Sequence, residues 1–282
     1  MKPDLASTRF VTISIDDGDP RDFRTAELLH KYGLEATFYI PARNPERPVM
    51  KESEMRELAT RFEVGAHTMN HLPLKSMSEA QAWAEISGSK RWIEDLLGKP
   101  CTAFCYPRGK FNSTTPVLAK KAGFLGARTC LYHLHTFPEN PFLWGLSTHA
   151  FSHSKAIQLR HAALEGNVRG MLNFLGTYKG TTDWQQHFQI ALDHVQQNGG
   201  IAHLNLHSWE IDELKQWDRL EATFAAIAQR SGFTRVTNGK LFELWRAALK
   251  PQVSSSTTSI KRPVKEDLKP SSLANVQVER RN

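Results

Sequence analysis

The stretch Phe10-Val11-Thr12-Ile13-Ser14-Ile15-Asp16-Asp17-Gly18 alternates apolar with hydroxyl side chains, then breaks at two adjacent carboxylates and a glycine. Period-two alternation in a β-branched run predicts a strand over 10–15, so both carboxylates fall at its carboxyl end. Outward from it the same unit recurs. A helix is expected at about Arg21 to Tyr32, with Gly33 as its C′ residue, then a strand over Ala36–Ile40 stopped by Pro41. Ser53 opens a helix with Met55, Leu58 and Ala59 on one face, and Phe62–Ala66 is a short strand running into His67. Ser78 caps a helix through Leu97, ended by Gly98. Ala103–Tyr106 is a strand ending at Pro107, Pro116–Ala122 a helix, and a further strand falls near Leu125 to Arg128.

Strand, loop and helix repeated in this way predict an α/β fold, a parallel sheet with helices outside it. Ligands of such sheets sit beyond the carboxyl ends of the strands. Asp16, Asp17, His67, His71 and Arg108 all fall there. The segment 131–182 is rich in His, Phe and Trp, has weak periodicity, and yields no assigned elements. Beyond it come a helix over Trp184–Gln197, a strand over Ile201–Leu206 that delivers His207, a helix over Trp217–Gln229, a short Arg235-Val236 strand and a helix over Asn238–Leu249.

A chain of 282 residues, 40% hydrophobic and 23% charged, suits one large globular domain. Residues 1–250 are read as that domain. From Pro251 the sequence loses periodicity and bulky apolar residues, so 251–282 is expected to be a disordered basic tail. The tail holds about three of the seven excess positive charges, which leaves the domain only mildly basic and argues against a nucleic-acid groove. No apolar stretch approaches the roughly 20 residues of a membrane span, so no stable membrane insertion is expected. The first residues carry no apolar leader, and three cysteines, Cys101, Cys105 and Cys130, make no disulfide framework. A cytoplasmic location is the default.

Four constellations can carry chemistry. Adjacent carboxylates Asp16 and Asp17 repel unless a cation lies beside them, although Asp-Asp-Gly is also ordinary turn chemistry. His67 and His71, at i and i+4, can share a helix face and chelate one cation, or be two solvated histidines. With Asp17 they make a two-histidine, one-carboxylate set that leaves coordination positions open. Tyr106-Pro107-Arg108-Gly109 is either a plain turn or a substrate wall with a backbone N–H aimed at an oxyanion. His207, just beyond a buried strand, has the pKa range of a general acid near neutrality, or is a hydrogen-bonded structural histidine. Aromatics between Phe137 and Trp144, with Trp209, suit a sugar-stacking surface or an ordinary core equally.

Taken in order, Ser14-Ile15-Asp16-Asp17-Gly18, His67-Thr68-Met69-Asn70-His71, Tyr106-Pro107-Arg108-Gly109 and Leu204-Asn205-Leu206-His207 resemble the motifs of polysaccharide deacetylases, the NodB-homology domain of carbohydrate esterase family 4. The resemblance covers roughly Phe10 to Leu249. It implies a distorted (β/α) barrel, usually of seven strands, and a divalent cation, commonly zinc. It further implies Asp16 as catalytic base, Asp17, His67 and His71 as metal ligands, Arg108 as donor of an oxyanion N–H, and His207 as catalytic acid. The substrate implied is an acetylated sugar or glycan. Two departures stand out. The arginine that braces the base in many members is replaced at its position by Cys105. The family's Asp-x-x-Asp-Trp run appears only as Gly180-Thr181-Thr182-Asp183-Trp184, where Asp183 either tunes the acid or simply caps the following helix. Three alternatives stay open: a deformylase or cyclic-amide hydrolase on the same scaffold, a non-catalytic glycan-binding module, and an interaction protein that works through its tail.

Overall fold

The computed structural model describes Leu5 and residues 7–249; residues 1–4, 6 and 250, and the expected tail 251–282, lie outside the described residues. In chain order the elements are β1 (Arg9–Asp16), α1 (Asp22–Lys31), β2 (Thr37–Ile40), α2 (Glu52–Leu58), β3 (Glu63–Ala66), α3 (Glu79–Leu97), β4 (Ala103–Cys105), α4 (Thr115–Ala122), β5 (Gly126–Arg128), β6 (Thr148–His149), α5 (Lys155–Leu164), α6 (Val168–Leu175), α7 (Trp184–Asn198), β7 (Gly200–Leu206), α8 (Ser208–Glu213), α9 (Trp217–Gln229), β8 (Thr234–Arg235) and α10 (Asn238–Leu249).

Seven strands lie in the order β5-β4-β3-β2-β1-β7-β6, and every pairing is parallel. β8 lies against Phe10 and Val11, at the start of β1 and before the point where β2 joins at Ser14. The two ends of the sheet approach through one backbone segment. The Trp144 amide donates to the Ala127 carbonyl at 3.0 Å and its carbonyl accepts from Thr129 at 2.8 Å, while three residues later Ser147 donates to His203. The sheet therefore curls into the expected distorted barrel of seven parallel strands.

Alternation along each strand decides which side chains face inward. Val11, Ile13 and Ile15 of β1, with Ala202, Leu204 and Leu206 of β7, pack under the outer helices in the main core. The opposite face of the same strands looks into the barrel. Phe10 and Ile201 fill the bottom together with Leu241 and Phe242 of α10, which plugs that end. Higher up the interior turns polar: Thr12 bonds Asn238, and Ser14 meets His203 at 2.8 Å. Continuing that parity upward reaches Asp16 on β1, Cys105 on β4, Arg128 on β5 and His207 beyond β7. The barrel is thus dry and apolar at one end and lined with titratable groups at the other.

Several expectations are corrected. The helix expected from Ser53 starts at Glu52, with Lys51 as N-cap, because Glu54 reaches back to the Lys51 amide at 2.6 Å. The late strand occupies Thr234–Arg235 rather than Arg235-Val236. Segment 131–182 contains β6, α5 and α6, and the short helix α8 follows His207. Among the described residues no helix is long and apolar enough to cross a membrane.

Candidate active site

In a strand, consecutive side chains point to opposite faces, yet Asp16 and Asp17 both reach the same end of the barrel. The reason is local. Asp17 leaves β1 with φ of 81°, its amide bonded to the Tyr39 carbonyl, and so escapes the alternation. Gly18 follows at φ 65°, where a Cβ would sit 2.7 Å from the Ile40 side chain, which is why the turn ends in glycine.

His67 and His71 come together without a helix, which corrects the shared helix face expected for them. Residues 67–71 form a loop in which Thr68 and His71 have φ of 68° and 53°, and the two imidazoles lie 5.0 Å apart. Glu85 of α3 holds this loop by accepting from the Met69 and Asn70 amides at 2.9 Å each. The Nε2 atoms of His71 and His67 lie 3.0 and 3.8 Å from Asp17 Oδ1. His67 Nδ1 lies 2.9 Å from the Cys105 carbonyl, which can only accept, so Nδ1 carries the proton and Nε2 offers a lone pair to the centre. Asp17 Oδ1 is buried and has no hydrogen bond of good geometry. A buried carboxylate oxygen facing an imidazole lone pair is a donor set that fits a divalent cation. Burial acts to raise the Asp17 carboxyl, but His207, His71 and His67 outweigh it and hold it below the usual range. Burial also lowers His67 to about 4, against the pull of Asp16, so the imidazole is neutral near pH 7.

The brace for Asp16 is Arg128, which is fully buried and paired with Asp16 Oδ2. Arg128 is the register partner of Cys105 on the adjoining strand. The cation missing at position 105 therefore arrives from one strand over, at the same height and on the same face. Burial works to raise the Asp16 carboxyl; Arg128, His67 and His207 overcome it and keep the group below the usual carboxylate range. The sequence carried a faint signal of this, a cation closing a strand otherwise made of Gly126 and Ala127.

His207 stands opposite, with Nε2 3.8 Å from Asp16 Oδ2 and 3.9 Å from Asp17 Oδ2. Its Nδ1 is 2.7 Å from Glu210 Oε2, and Glu210 also meets His149 Nε2 at 2.9 Å. Burial would lower the His207 pKa, but Asp17, Glu210 and Asp16 raise it to about 9. Of the two readings open for Asp183, tuning the acid or capping the following helix, the contacts match the cap. Asp183 caps α7 by accepting from Gln186 at 2.9 Å and pairs with Arg219 at 2.5 Å. The carboxylate beside His207 is Glu210, in the first turn of α8, a helix absent from the expectations.

A cavity of about 370 Å³ opens above these groups, and Arg108, Gly109 and Lys110 form part of its wall. Arg108 has φ of 54°, and its side chain turns outward to pair with Glu46 across the mouth. Gly109 is required at φ 64° because a Cβ there would lie 2.8 Å from the Cys130 amide nitrogen. Trp209 lines the cavity, donates its indole N–H to Asp17 Oδ2 at 2.9 Å and carries the Arg47 guanidinium over its ring at 3.7 Å. It fixes the carboxylate, and that ring face is taken. Phe137 and Trp144 pack with Phe10, Phe242 and Trp245 at the plugged end of the barrel, which settles them as core. Cys101 and Cys105 are buried free thiols.

A parallel barrel with a carboxylate–imidazole centre at its carboxyl end defines a class of protein, and known proteins share parts of it. Residues 6–127 match the family model described as polysaccharide deacetylase. It is 28% identical over 158 residues to YxkH of Bacillus subtilis, assigned as a polysaccharide deacetylase; the match covers 51% of this chain and 56% of the relative. It is 29% identical over 154 residues to a peptidoglycan-N-acetylglucosamine deacetylase of Bacillus cereus, covering 52% of this chain and 69% of the relative. The chain thus spans little more than half the length of the first relative. Among solved structures, a Mycobacterium smegmatis protein assigned as a polysaccharide deacetylase superposes with a TM-score of 0.62 at 15% identity, over 93% of this chain and 96% of that one. A family 4 acetyl xylan esterase of Clostridium thermocellum gives 0.53 at 17% identity, over 86% and 93%. At these identities the likeness concerns the fold.

Proposed function

We propose that this protein is a divalent-metal-dependent hydrolase that removes acetyl groups from an N- or O-acetylated sugar or glycan. The reading rests on one observation: Asp17, His67 and His71 converge as a cation-binding donor set, with a braced carboxylate, Asp16, on one side and an imidazole, His207, 3.8 Å from it. The Asp17 carboxylate and the Nε2 atoms of both histidines would hold the ion, zinc being the first candidate, which would polarise the acetyl carbonyl and acidify water. Asp16 takes the proton of the attacking water. Arg128 holds its Oδ2 and leaves buried Oδ1 without a hydrogen bond, open to that proton. As the water oxygen bonds to the acetyl carbon, the Arg108 amide is offered to the oxyanion. His207 donates the proton that the leaving nitrogen or oxygen requires as its bond to carbon breaks, and acetate departs. Glu210 steadies the imidazolium through Nδ1. The Bacillus cereus relative, named for an N-acetylglucosamine substrate, supports N-acetyl sugars as the first class to test. The free thiols support a reducing, cytoplasmic setting.

The test is acetate release from a panel of N- and O-acetylated sugars, with zinc-loaded protein, metal-stripped protein and Asp16→Asn. Release that needs both the metal and Asp16 is expected. Full activity of Asp16→Asn with metal bound would overturn the base, and release of formate or opening of a cyclic amide instead of acetate would move the substrate class.

A further inference from the structure

Segment 151–182, which sequence periodicity left unassigned, holds an unusual surface. Five of the nine large apolar side chains exposed among the described residues fall within it: Ile157, Leu164, Val168, Leu172 and Leu175. They are not scattered. Ile157 and Leu164 share the solvent face of α5, at i and i+7, while Ala162 points inward. Val168, Leu172 and Leu175 share the solvent face of α6, at i, i+4 and i+7, while Gly170 and Phe174 point inward. α5 and α6 pack on each other, and the turn 165–167 joins Leu164 to Val168. An exposed apolar cluster of this kind marks an interaction surface rather than chance.

The charges around it select the partner. Lys155, Arg160, Arg169 and Lys179 are all exposed, and none forms an ion pair among the described residues. The one acidic residue of the segment, Glu165, is already taken by Lys110. Apolar side chains among unpaired cations match the interface of an anionic bilayer, which accepts the former at the acyl boundary and attracts the latter. A second copy of this chain would bring like charge against like.

We propose that the α5–α6 pair is a peripheral docking face for an anionic lipid surface. The same segment reaches the cavity. His161 of α5 and Glu165 line it, and the Glu165–Lys110 pair ties the docking face to the loop after β4. Docking would therefore bring the cavity mouth to the lipid headgroups, where a membrane-anchored acceptor could enter. The docking itself does not depend on the reaction assigned to the cavity.

The experiment is co-sedimentation of the full-length protein with vesicles of phosphatidylglycerol and phosphatidylcholine, compared with phosphatidylcholine alone. Binding to the anionic vesicles is expected, weakened by salt. A cation near such a surface contributes about 1 kcal/mol, or about fivefold in partitioning, so Arg160→Glu with Arg169→Glu is expected to lower it at least 25-fold. Leu172→Glu with Leu175→Glu is expected to lower it at least tenfold, with thermal melting unchanged because both side chains are exposed. No binding to anionic vesicles would overturn the proposal. So would binding untouched by both double variants, which would place the contact elsewhere on the chain. Self-association abolished by Leu172→Glu, without vesicle binding, would assign the face to a second copy.

Discussion

Replacing Arg128 by Met removes the guanidinium from Asp16 while keeping an apolar stem of similar length. In the wild-type protein the depressed Asp16 carboxyl contributes stability that is present above the unfolded pKa of about 3.9 and lost as pH falls through the lower folded value. Without Arg128 the burial that opposes ionisation is left to His67 and His207. Breaking one partner of a buried ion pair costs about 3–5 kcal/mol if the other remains charged. Asp16 can instead take up a proton, and about 3 kcal/mol then appears as a rise of roughly two pKa units. The acid limb of acetate release against pH should move up by that order, with a loss of stability at neutral pH. Two further variants separate this account from simple damage to the core. In an Asp16→Asn background Arg128→Met should cost less stability, by about 0.5–3 kcal/mol of coupling, because no carboxylate is left to orphan. Exchanging the pair, Cys105→Arg with Arg128→Cys, should recover most of the activity, since the two positions are register partners and the thiol of Cys105 lies within 4.8 Å of Asp16. An acid limb that stays in place, together with equal destabilisation in both backgrounds, would falsify the brace.

In metal-free protein His207 should titrate near pH 9; because its pKa is raised, its stabilising contribution is complete below about 6.5 and is lost as pH rises through 9. Glu210→Gln should bring that midpoint down, read from the imidazole resonances, and an unmoved midpoint would remove Glu210 from its role. Asp183→Ala should cost about 1 kcal/mol as the loss of a helix cap while leaving acetate release intact, so a collapse of turnover in a stably folded variant would restore it to the site. Added zinc should raise the melting temperature of the wild type by mass action and leave His71→Ala nearly unmoved; equal shifts in both would place the ion elsewhere.

How much of this was legible in the residues can be argued group by group. The alternation over Phe10–Ile15 and the apolar run over Ile201–Leu206 identified the two central strands, and with them the placement of Asp16 and His207 at strand ends. Asp17, His67 and His71 were legible as a donor set because two imidazoles and a carboxylate at strand ends carry their chemistry in their identity. The segment 131–182 was not legible. α5 and α6 bury only Ala162, Gly170 and Phe174 on their inner faces and expose leucines outward, which hides the usual amphipathic contrast.

Outside 131–182 and α8, the sequence by itself determined the order of strands and helices and the residue types that gather beyond them, because local periodicity and side-chain chemistry are properties of short stretches. Which cation braces Asp16, which carboxylate faces His207, and what lies against Trp209 were decided only by tertiary structure. Arg128 is 112 positions from Asp16. Its role follows from the register of β4 against β5, which sets the height and face of each inward side chain. Glu210 rather than Asp183 lies beside His207 because α8 begins at once after β7 and turns its first residues back over the barrel mouth, whereas Asp183 is held at the start of α7 by the amide it caps. Register and helix direction are set by packing across the whole sheet, and no single stretch of chain encodes them.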